Sequence, residues 1–396
     1  MTTVPEDIKT WDDVRKVPKM EKAMMREIQR KDPFPYGDLL AVPLERVTEF
    51  HQTSGTTGQP VYQADTWQDW EWWSDCWAYI MYAQGFRDTD RVFNSFGYNT
   101  FIAFWSAHYG AEKIGCEVVP GGVLDTEARI LKMQELRATV LMATPTYVLG
   151  MAERAQEMGI DPIKDLTINK ILCAGEPGAS IPATKRRMEE AWGAKVYDHA
   201  GATEIGAWGY ECTAQPGGLH VNEALFLAEL EDVETGEPIT GPGRRGKLIM
   251  TTLDRQAQPC IRFDSKDVAE WAEEPCPCGR TFRWIKGGVV GRADDITKVK
   301  GVLLAPTAIE EVVHSFPELS DEFEVEVTRK GVIDDITLRV ELLPEEKNNR
   351  EAVEPRLIDQ LRLRTNLRYN IEFHEYGTLP RYVLKAKRFK DLRPTH

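Results

Sequence analysis

No apolar run in this 396-residue sequence approaches the roughly 18 residues that a membrane-spanning helix requires. The first twenty residues mix both charges and lack an apolar stretch, so no secretory signal is expected. An excess of positive charge is also missing. There are 63 acidic and 49 basic residues, a formal charge of −14. A surface of that sign repels phosphate backbones, and no nucleic-acid partner is expected. Cysteine is sparse: seven residues, an odd number in a long chain, make a poor disulfide framework. There is no repeat and no low-complexity tract. Hydrophobic residues at 42% and charged residues at 28% argue against wholesale disorder. A cytoplasmic enzyme or binding protein without a membrane partner is the expectation that remains.

The sequence does contain alternation. Between about 86 and 200, short β-rich runs (RVFNSFGY, CEVVP, ATVLMATP, NKILCAGEP, AKVYDHAG) are separated by helical stretches such as EARILKMQEL and PATKRRMEEAW. That order predicts a parallel sheet with helices on its faces. After about 205, strands joined by Gly-, Pro- and charge-rich turns predict a β-rich subdomain. The last hundred residues predict a small α+β unit, with helices at TAIEEVVHSF and REAVEPRLIDQLRLRTNL among alternating strands. The stretch GRADDITKVKG suits a linker. Trp67, Trp70, Trp73 and Trp77 fall near helical spacing and predict a helix face packed on the core or a partner.

Residues 53–60 read TSGTTGQP. Glycines allow close backbone approach to a ligand, and hydroxyls with free N–H groups can surround phosphate oxygens. The GxxxxGK[ST] pattern of kinases and GTPases is absent. Taken alone, such a cluster is more often a solvated turn. Cys276-Pro277-Cys278-Gly279 places two thiols one residue apart, and Cys212 and His220 bracket a Gly-rich turn upstream. Three thiols and an imidazole fit a tetrahedral structural zinc site. Two unrelated cysteine pairs are the plainer alternative, and Cys260 competes for one ligand place. Cys76, Cys116 and Cys173 sit among apolar residues and are expected in the core.

TSGTTGQP resembles the phosphate loop of the acyl-adenylate-forming enzymes. Further segments match in order: DHAGATEIG (198–206), IRFDSKD (261–267), GRADD (291–295) and LPRYVLKAKRFKD (379–391). FNSFGYNTFIAFWSAHYGAE, ECTAQPGGLHV and PCPCGRT are similar to signatures of the phenylacetate–CoA ligase branch, which carries the same Cys…His…Cys-Pro-Cys pattern. The resemblance covers almost the whole chain. It implies an acyl-CoA synthetase-like α/β fold, with residues 1–293 as a large α/β region with a β-rich subdomain and residues 294–396 as a small mobile α+β domain.

The resemblance also implies the reaction: AMP-forming ligation of a carboxylic acid to coenzyme A, at the expense of ATP with Mg²⁺. Ser54, Gly55, Thr56, Thr57 and Gly58 would cradle phosphates. Gly175, Glu176, Pro177, Asp198, His199 and Ala200 would line the nucleotide. Thr203 would donate to the α-phosphate, and Glu204 would hold Mg²⁺, which prefers oxygen ligands. Asp267 would accept from both ribose hydroxyls, with Arg292 on ribose or phosphate. Lys385 would bridge the carboxylate and the α-phosphate; Lys387 is the alternative if the register shifts by two. Asp294 would be the hinge. Phe96, Tyr98, Phe101, Ala174 and Gly201 would line the acyl pocket, favouring an aromatic acid, with a smaller branched or hydroxylated acid as alternative. Phe104 and Trp105 are expected in a plain hydrophobic core helix.

Some positions depart from the family pattern. Gln59 replaces the usual phosphate-loop Lys, Ala200 the usual Tyr, and Leu384 the usual Gly before the lysine. They bear on nucleotide affinity. An amine or carrier-protein acceptor, and a silent nucleotide- or acyl-binding homologue, remain alternatives at this point. Relatives are often dimers, which leaves a homodimer open.

Overall fold

Alternating strand and helix patterns settle into layers only where each apolar face finds another to cover it. The computed structural model describes residues 5–53, 59–293, 296–300, 302–330, 333–382 and 387–393. They form two compact units of mixed α/β structure. One draws on residues 1–124, 139–142 and 197–289; the other on 125–138, 143–196 and 290–396. No helix among the described residues is long and apolar enough to cross a membrane.

In the first unit the β-rich runs form parallel strands. Arg91–Asn94 pairs with Glu117–Pro120, Val92 opposite Val118, and with Val140–Ala143, Val92 opposite Val140. Parallel neighbours need a crossover, here the helix Ile102–Ile114, which ends at Gly115 in left-handed backbone. The helix Trp67–Ala83 begins with a capping box between Thr66 and Asp69. It lies against Ile102–Ile114 so closely that a Cβ on Gly110 would come 2.4 Å from the Trp77 Cβ. Trp70, Trp72, Trp73 and Trp77 are buried, but Trp67 is 60% exposed, because it occupies the first position of the helix.

The β-rich part follows as two antiparallel groups. Lys195–Ala202, Gly206–Cys212, Gln215–Val221 and Trp284–Lys286 pair in succession. Phe226–Glu231 pairs with Pro238–Ile239 and with Arg245–Thr252, which pairs in turn with Phe263–Glu270. A separate hairpin, Glu49–Gln52 with Tyr62–Asp65, flanks the Gly/Thr loop.

The second unit contains the strand Lys170–Cys173 and the helices Thr126–Leu136, Pro145–Glu157 and Pro182–Trp192. Asp125 and Thr144 cap the first two helices, as short oxygen-bearing side chains do. The same unit holds the C-terminal α+β module. Leu319–Lys330 and Ile333–Leu342 pair antiparallel, flanked in parallel by Phe389–Asp391 and Asn370–His374. Period-two alternation places Phe323, Val325 and Val327 opposite Val340, Leu338 and Ile336 on one face. The helices Pro306–His314 and Arg350–Thr365 cover that face with Ile309, Val312, Val313, Val353, Leu357 and Leu361. Each such fully buried side chain contributes about 1.5–3 kcal/mol.

Candidate functional site

The candidate residues 198–204 lie on one hairpin of the first unit. Strand Lys195–Ala202 turns through Thr203–Ile205 into Gly206–Cys212. The turn is tight because two glycines permit it. A Cβ on Gly201 would lie 2.8 Å from the Gly206 carbonyl oxygen, and Gly206 has φ +136°. Asp198 donates its N–H to Glu211 Oε2 (2.8 Å) and accepts from Gln84 Nε2 (2.9 Å). His199 is buried, 4.2 Å from the Trp77 ring, with Nδ1 2.9 Å from the Gly209 carbonyl. Burial pulls its pKa down to about 4, so the imidazole is neutral. Ala200 pairs with Gly209 across the hairpin.

Glu204 is buried, with Lys22 Nζ 2.8 Å from Oε1. Its carbonyl accepts from Arg255 Nη1 at 2.9 Å. Arg255 also holds Asp65 Oδ1 through Nε (3.1 Å) and Nη2 (2.9 Å), and Gln63 Oε1 (3.0 Å). Asp65 and Gln63 belong to the strand after the Gly/Thr loop. Thr53 pins the ends of that loop: its N–H donates to the Val61 carbonyl (3.0 Å) and its Oγ1 accepts from the Val61 N–H (2.9 Å). Ser54, Gly55, Thr56, Thr57 and Gly58 lie outside the described residues. Asp267 lies on Phe263–Glu270, half-buried, with its N–H donating to Ser265 Oγ at 3.1 Å.

The aromatic candidates separate into two groups. Phe96 stacks on Phe104 with centroids 3.9 Å apart, and Phe101 meets Phe104 edge-on. Tyr98 meets Trp105 edge-on at 4.9 Å, and its hydroxyl lies 2.9 Å from Asn94 Nδ2 and 2.7 Å from His108 Nδ1. Burial pushes the Tyr98 phenol up to about 12. Phe104 and Trp105 are half-buried rather than core residues, because they lie on the side of Ile102–Ile114 that carries these ring contacts.

The cysteine and histidine candidates do converge. The donor atoms of Cys212, His220, Cys276 and Cys278 all lie within 4.8 Å of one another. Cys212 Sγ is 3.5 Å from Cys276 Sγ, and Cys278 Sγ is 3.5 Å from His220 Nε2. Ligands about 2.3 Å from a tetrahedral ion stand about 3.7 Å apart, so the set matches that geometry. Cys212 and His220 come from adjacent strands, and the turn 276–279 closes with Gly279 N–H on the Cys276 carbonyl (3.1 Å). His220 Nδ1 faces the Phe282 carbonyl at 3.4 Å, which leaves Nε2 toward the thiols. Cys260 is not in this set; its N–H donates to Thr252 Oγ1. Cys76, Cys116 and Cys173 are buried as expected.

In the second unit, Ala174 is buried and donates to the Ala143 carbonyl (3.3 Å). Gly175 follows with φ +98° and leads into Glu176 and Pro177. The Glu176 carboxylate accepts the Thr146 N–H at 2.8 Å, and Thr146 Oγ1 lies 3.4 Å from Arg388 Nη1. Arg292 is exposed on the short strand Gly291–Arg292. Asp294 and Lys385 lie outside the described residues; Lys387 is exposed, and its carbonyl accepts from the Tyr382 hydroxyl at 3.3 Å. A cavity of about 530 Å³ in this unit is lined by Tyr147, Glu153, Arg154, Tyr376, Arg381 and Tyr382 among others. No sequence pattern points to Lys22, Arg187, Arg255 or Arg388. Arg388 sits in the KAKRFK run of the 379–391 segment, and it is buried.

Residues 301–393 match the family model described as the AMP-binding enzyme C-terminal domain. The phenylacetate–coenzyme A ligase of Aromatoleum evansii is 33% identical over 98% of this chain and 87% of its own length. That of Pseudomonas putida is 32% identical over 98% and 87%. Among solved structures, 2-hydroxyisobutyryl-CoA ligase in the postadenylation state, in complex with 2-HIB-AMP, is similar with TM-score 0.92 and 27% identity, covering 98% of this chain and 83% of that one.

Proposed function

From the premise that the chain belongs to the AMP-binding enzyme superfamily and is an adenylate-forming acid–CoA ligase, we propose that its acid is aromatic, of the phenylacetate class. The Phe96–Phe104–Phe101 cluster carries this reading, because ring faces and edges favour an aromatic acyl group. ATP and coenzyme A are the co-substrates. A carboxylate oxygen of the acid attacks the α-phosphorus of ATP, an O–P bond forms and pyrophosphate leaves. The coenzyme A thiol, losing its proton, then attacks the acyl carbon; a C–S bond forms and AMP leaves.

The residue roles are part of the proposal. The 54–58 loop and Thr203 stabilise charge on the phosphates. Lys385 bridges carboxylate and α-phosphate. Asp267 accepts from the ribose hydroxyls, Arg292 contacts ribose or phosphate, and residues 175–177 and 198–200 bind the nucleotide. Glu204 is a buried carboxylate of the hard-oxygen kind Mg²⁺ prefers; the ion would take the place of Lys22 on it. Cys212, His220, Cys276 and Cys278 would hold a structural Zn²⁺, with all four places filled by protein and none open for chemistry. Asp294 is the hinge between residues 1–293 and 294–396. All seven cysteines are unpaired, which supports a cytoplasmic location.

A small hydroxy acid is the second reading. It is favoured by the Asn94–Tyr98–His108 polar group beside the rings, which would bind a substrate hydroxyl. ATP–pyrophosphate exchange with phenylacetate, benzoate and 2-hydroxyisobutyrate separates the two. Phenylacetate is expected to give the highest kcat/KM. A preference of tenfold or more for 2-hydroxyisobutyrate would transfer the assignment to the second reading.

A further inference from the structure

Arg187, on the helix Pro182–Trp192, donates from all three of its guanidinium nitrogens. Nε reaches the His314 carbonyl (2.7 Å), Nη1 the Leu319 carbonyl (3.1 Å) and Asp321 Oδ1 (2.5 Å), and Nη2 the Phe316 carbonyl. These acceptors cluster at the end of the helix Pro306–His314 and just beyond it. There carbonyls lack in-helix partners and the helix dipole favours a cation. Arg187 is the only side chain among the described residues shown donating to four acceptors on this stretch of the C-terminal module.

Its neighbours extend the contact. Thr184 Oγ1 lies 2.6 Å from His314 Nδ1 and 3.1 Å from Glu310 Oε1, and the Ala183 N–H donates to Glu311 Oε2 at 3.0 Å. A second arginine bonds in the opposite direction. Arg388, three residues beyond Lys385, pairs with Glu322 (2.9 Å) inside the module and reaches Thr146 Oγ1. Thr146 in turn donates its N–H to Glu176 of the proposed nucleotide loop. The two arginines therefore fasten the module bearing the lysine segment beside the Gly175–Pro177 loop.

Resting on the ligase reading above, we infer that Arg187 is a positioning residue for acyl-adenylate formation. Only that half of the reaction needs a lysine between carboxylate and α-phosphate. In the second half the bond forms between sulfur and the acyl carbon, and the lysine segment has no part in it. Loss of Arg187 therefore affects the first half and spares the second. Lysine at 187 supplies one point charge in place of a planar fork and restores only part of the contact.

Two measurements on the full chain test this. Hydrogen–deuterium exchange on Arg187→Gln should show faster exchange across 306–321 and 182–192, with the strands of the first unit unchanged; unchanged protection of 306–321 would overturn the inference whatever the enzyme's substrate. Pyrophosphate exchange with phenylacetate and MgATP should fall by about tenfold or more, the effect of removing a charged hydrogen-bond donor. Thioester formation from supplied phenylacetyl-adenylate and coenzyme A should stay within about twofold. Arg187→Lys should lie between Gln and wild type in both readouts. Equal loss in both half-reactions would reduce Arg187 to a general stabiliser. Wild-type protein inactive in exchange with phenylacetate would instead remove the proposed acid, leaving hydrogen exchange to decide the contact.

Discussion

Arg255 and Asp65 are both fully buried, and each makes the other's charge tolerable. Burial pushes the Asp65 carboxyl up, and the guanidinium opposes that shift. Arg255 also bonds Gln63 and the Glu204 carbonyl, so one side chain ties the strand after the Gly/Thr loop to the turn carrying Thr203 and Glu204. Truncating one member of a buried pair leaves the other uncompensated, at a cost of about 3–5 kcal/mol. Arg255→Ala should lower unfolding stability by that amount in urea titration. Replacing both residues with apolar ones of similar volume should cost much less. A loss below about 1 kcal/mol for the single variant would show that water or another cation compensates Asp65.

The helix Pro306–His314 illustrates how an element's docking can depend on a proton. His314 Nε2 faces the Asp321 carbonyl at 3.0 Å, an acceptor only, so Nε2 carries the hydrogen and Nδ1 accepts. Thr184 Oγ1 lies between His314 Nδ1 (2.6 Å) and Glu310 Oε1 (3.1 Å), and its one hydroxyl hydrogen can serve only one of them at a time. Burial pulls His314 down to about 3, which keeps the imidazole neutral, and pushes Glu310 up to about 7, so that its carboxyl stays protonated only below that pH. Glu176, Glu311 and Arg388 are the charges acting on Glu310; Asp321, Arg187 and Arg388 act on His314. A carboxyl raised in the folded state contributes stability that is full below its unfolded pKa of 4.5 and lost as pH rises through about 7. The His314 shift acts the other way below 6.5, so wild-type stability alone hides the effect. Comparing Glu310→Gln with wild type isolates it. The variant should gain on wild type by about 2–3 kcal/mol between pH 4.5 and 8. A difference independent of pH would mean that Glu310 is ionised throughout.

This element also shows what a sequence can express. Its spacing of Ile309, Val312 and Val313 marks a helix, and alternation marks the strands beneath it, because periodicity is a local property. The Cys-Pro-Cys turn and His220 are legible because thiols and imidazole are scarce and chemically distinct. Arg187, Arg255 and Arg388 are not legible. Arginine is common, and Arg187 meets its partners 127–134 positions further along the chain. The exposure of Trp67 follows from its place at the helix start, which spacing alone does not weigh.

At the scale of the molecule, the Cys/His cluster and the Glu204 turn sit at opposite ends of one strand, Gly206–Cys212. Seven residues of strand span about 20 Å, at 3.3 Å each. A metal held at the far end would lie away from the Glu204 turn. It would join the 206–221 hairpin to the turn 276–279, which follows Phe263–Glu270 in the chain. Among the described residues, that turn is otherwise held by Gly279 N–H on the Cys276 carbonyl and Arg280 N–H on Cys278 Sγ. Metal bound there would contribute folding free energy. Protein purified without chelator should contain one zinc per chain. Cys278→Ser should lose it and melt more than about 5 °C lower. At temperatures where the variant is folded, pyrophosphate exchange should remain within about twofold of wild type, because the hairpin's other end is held independently by Arg255. A Cys278→Ser protein that keeps its melting temperature would show the cluster to be four reduced side chains with no structural ion. One that stays folded yet loses exchange by a hundredfold would show that the strand transmits the metal's geometry to Glu204.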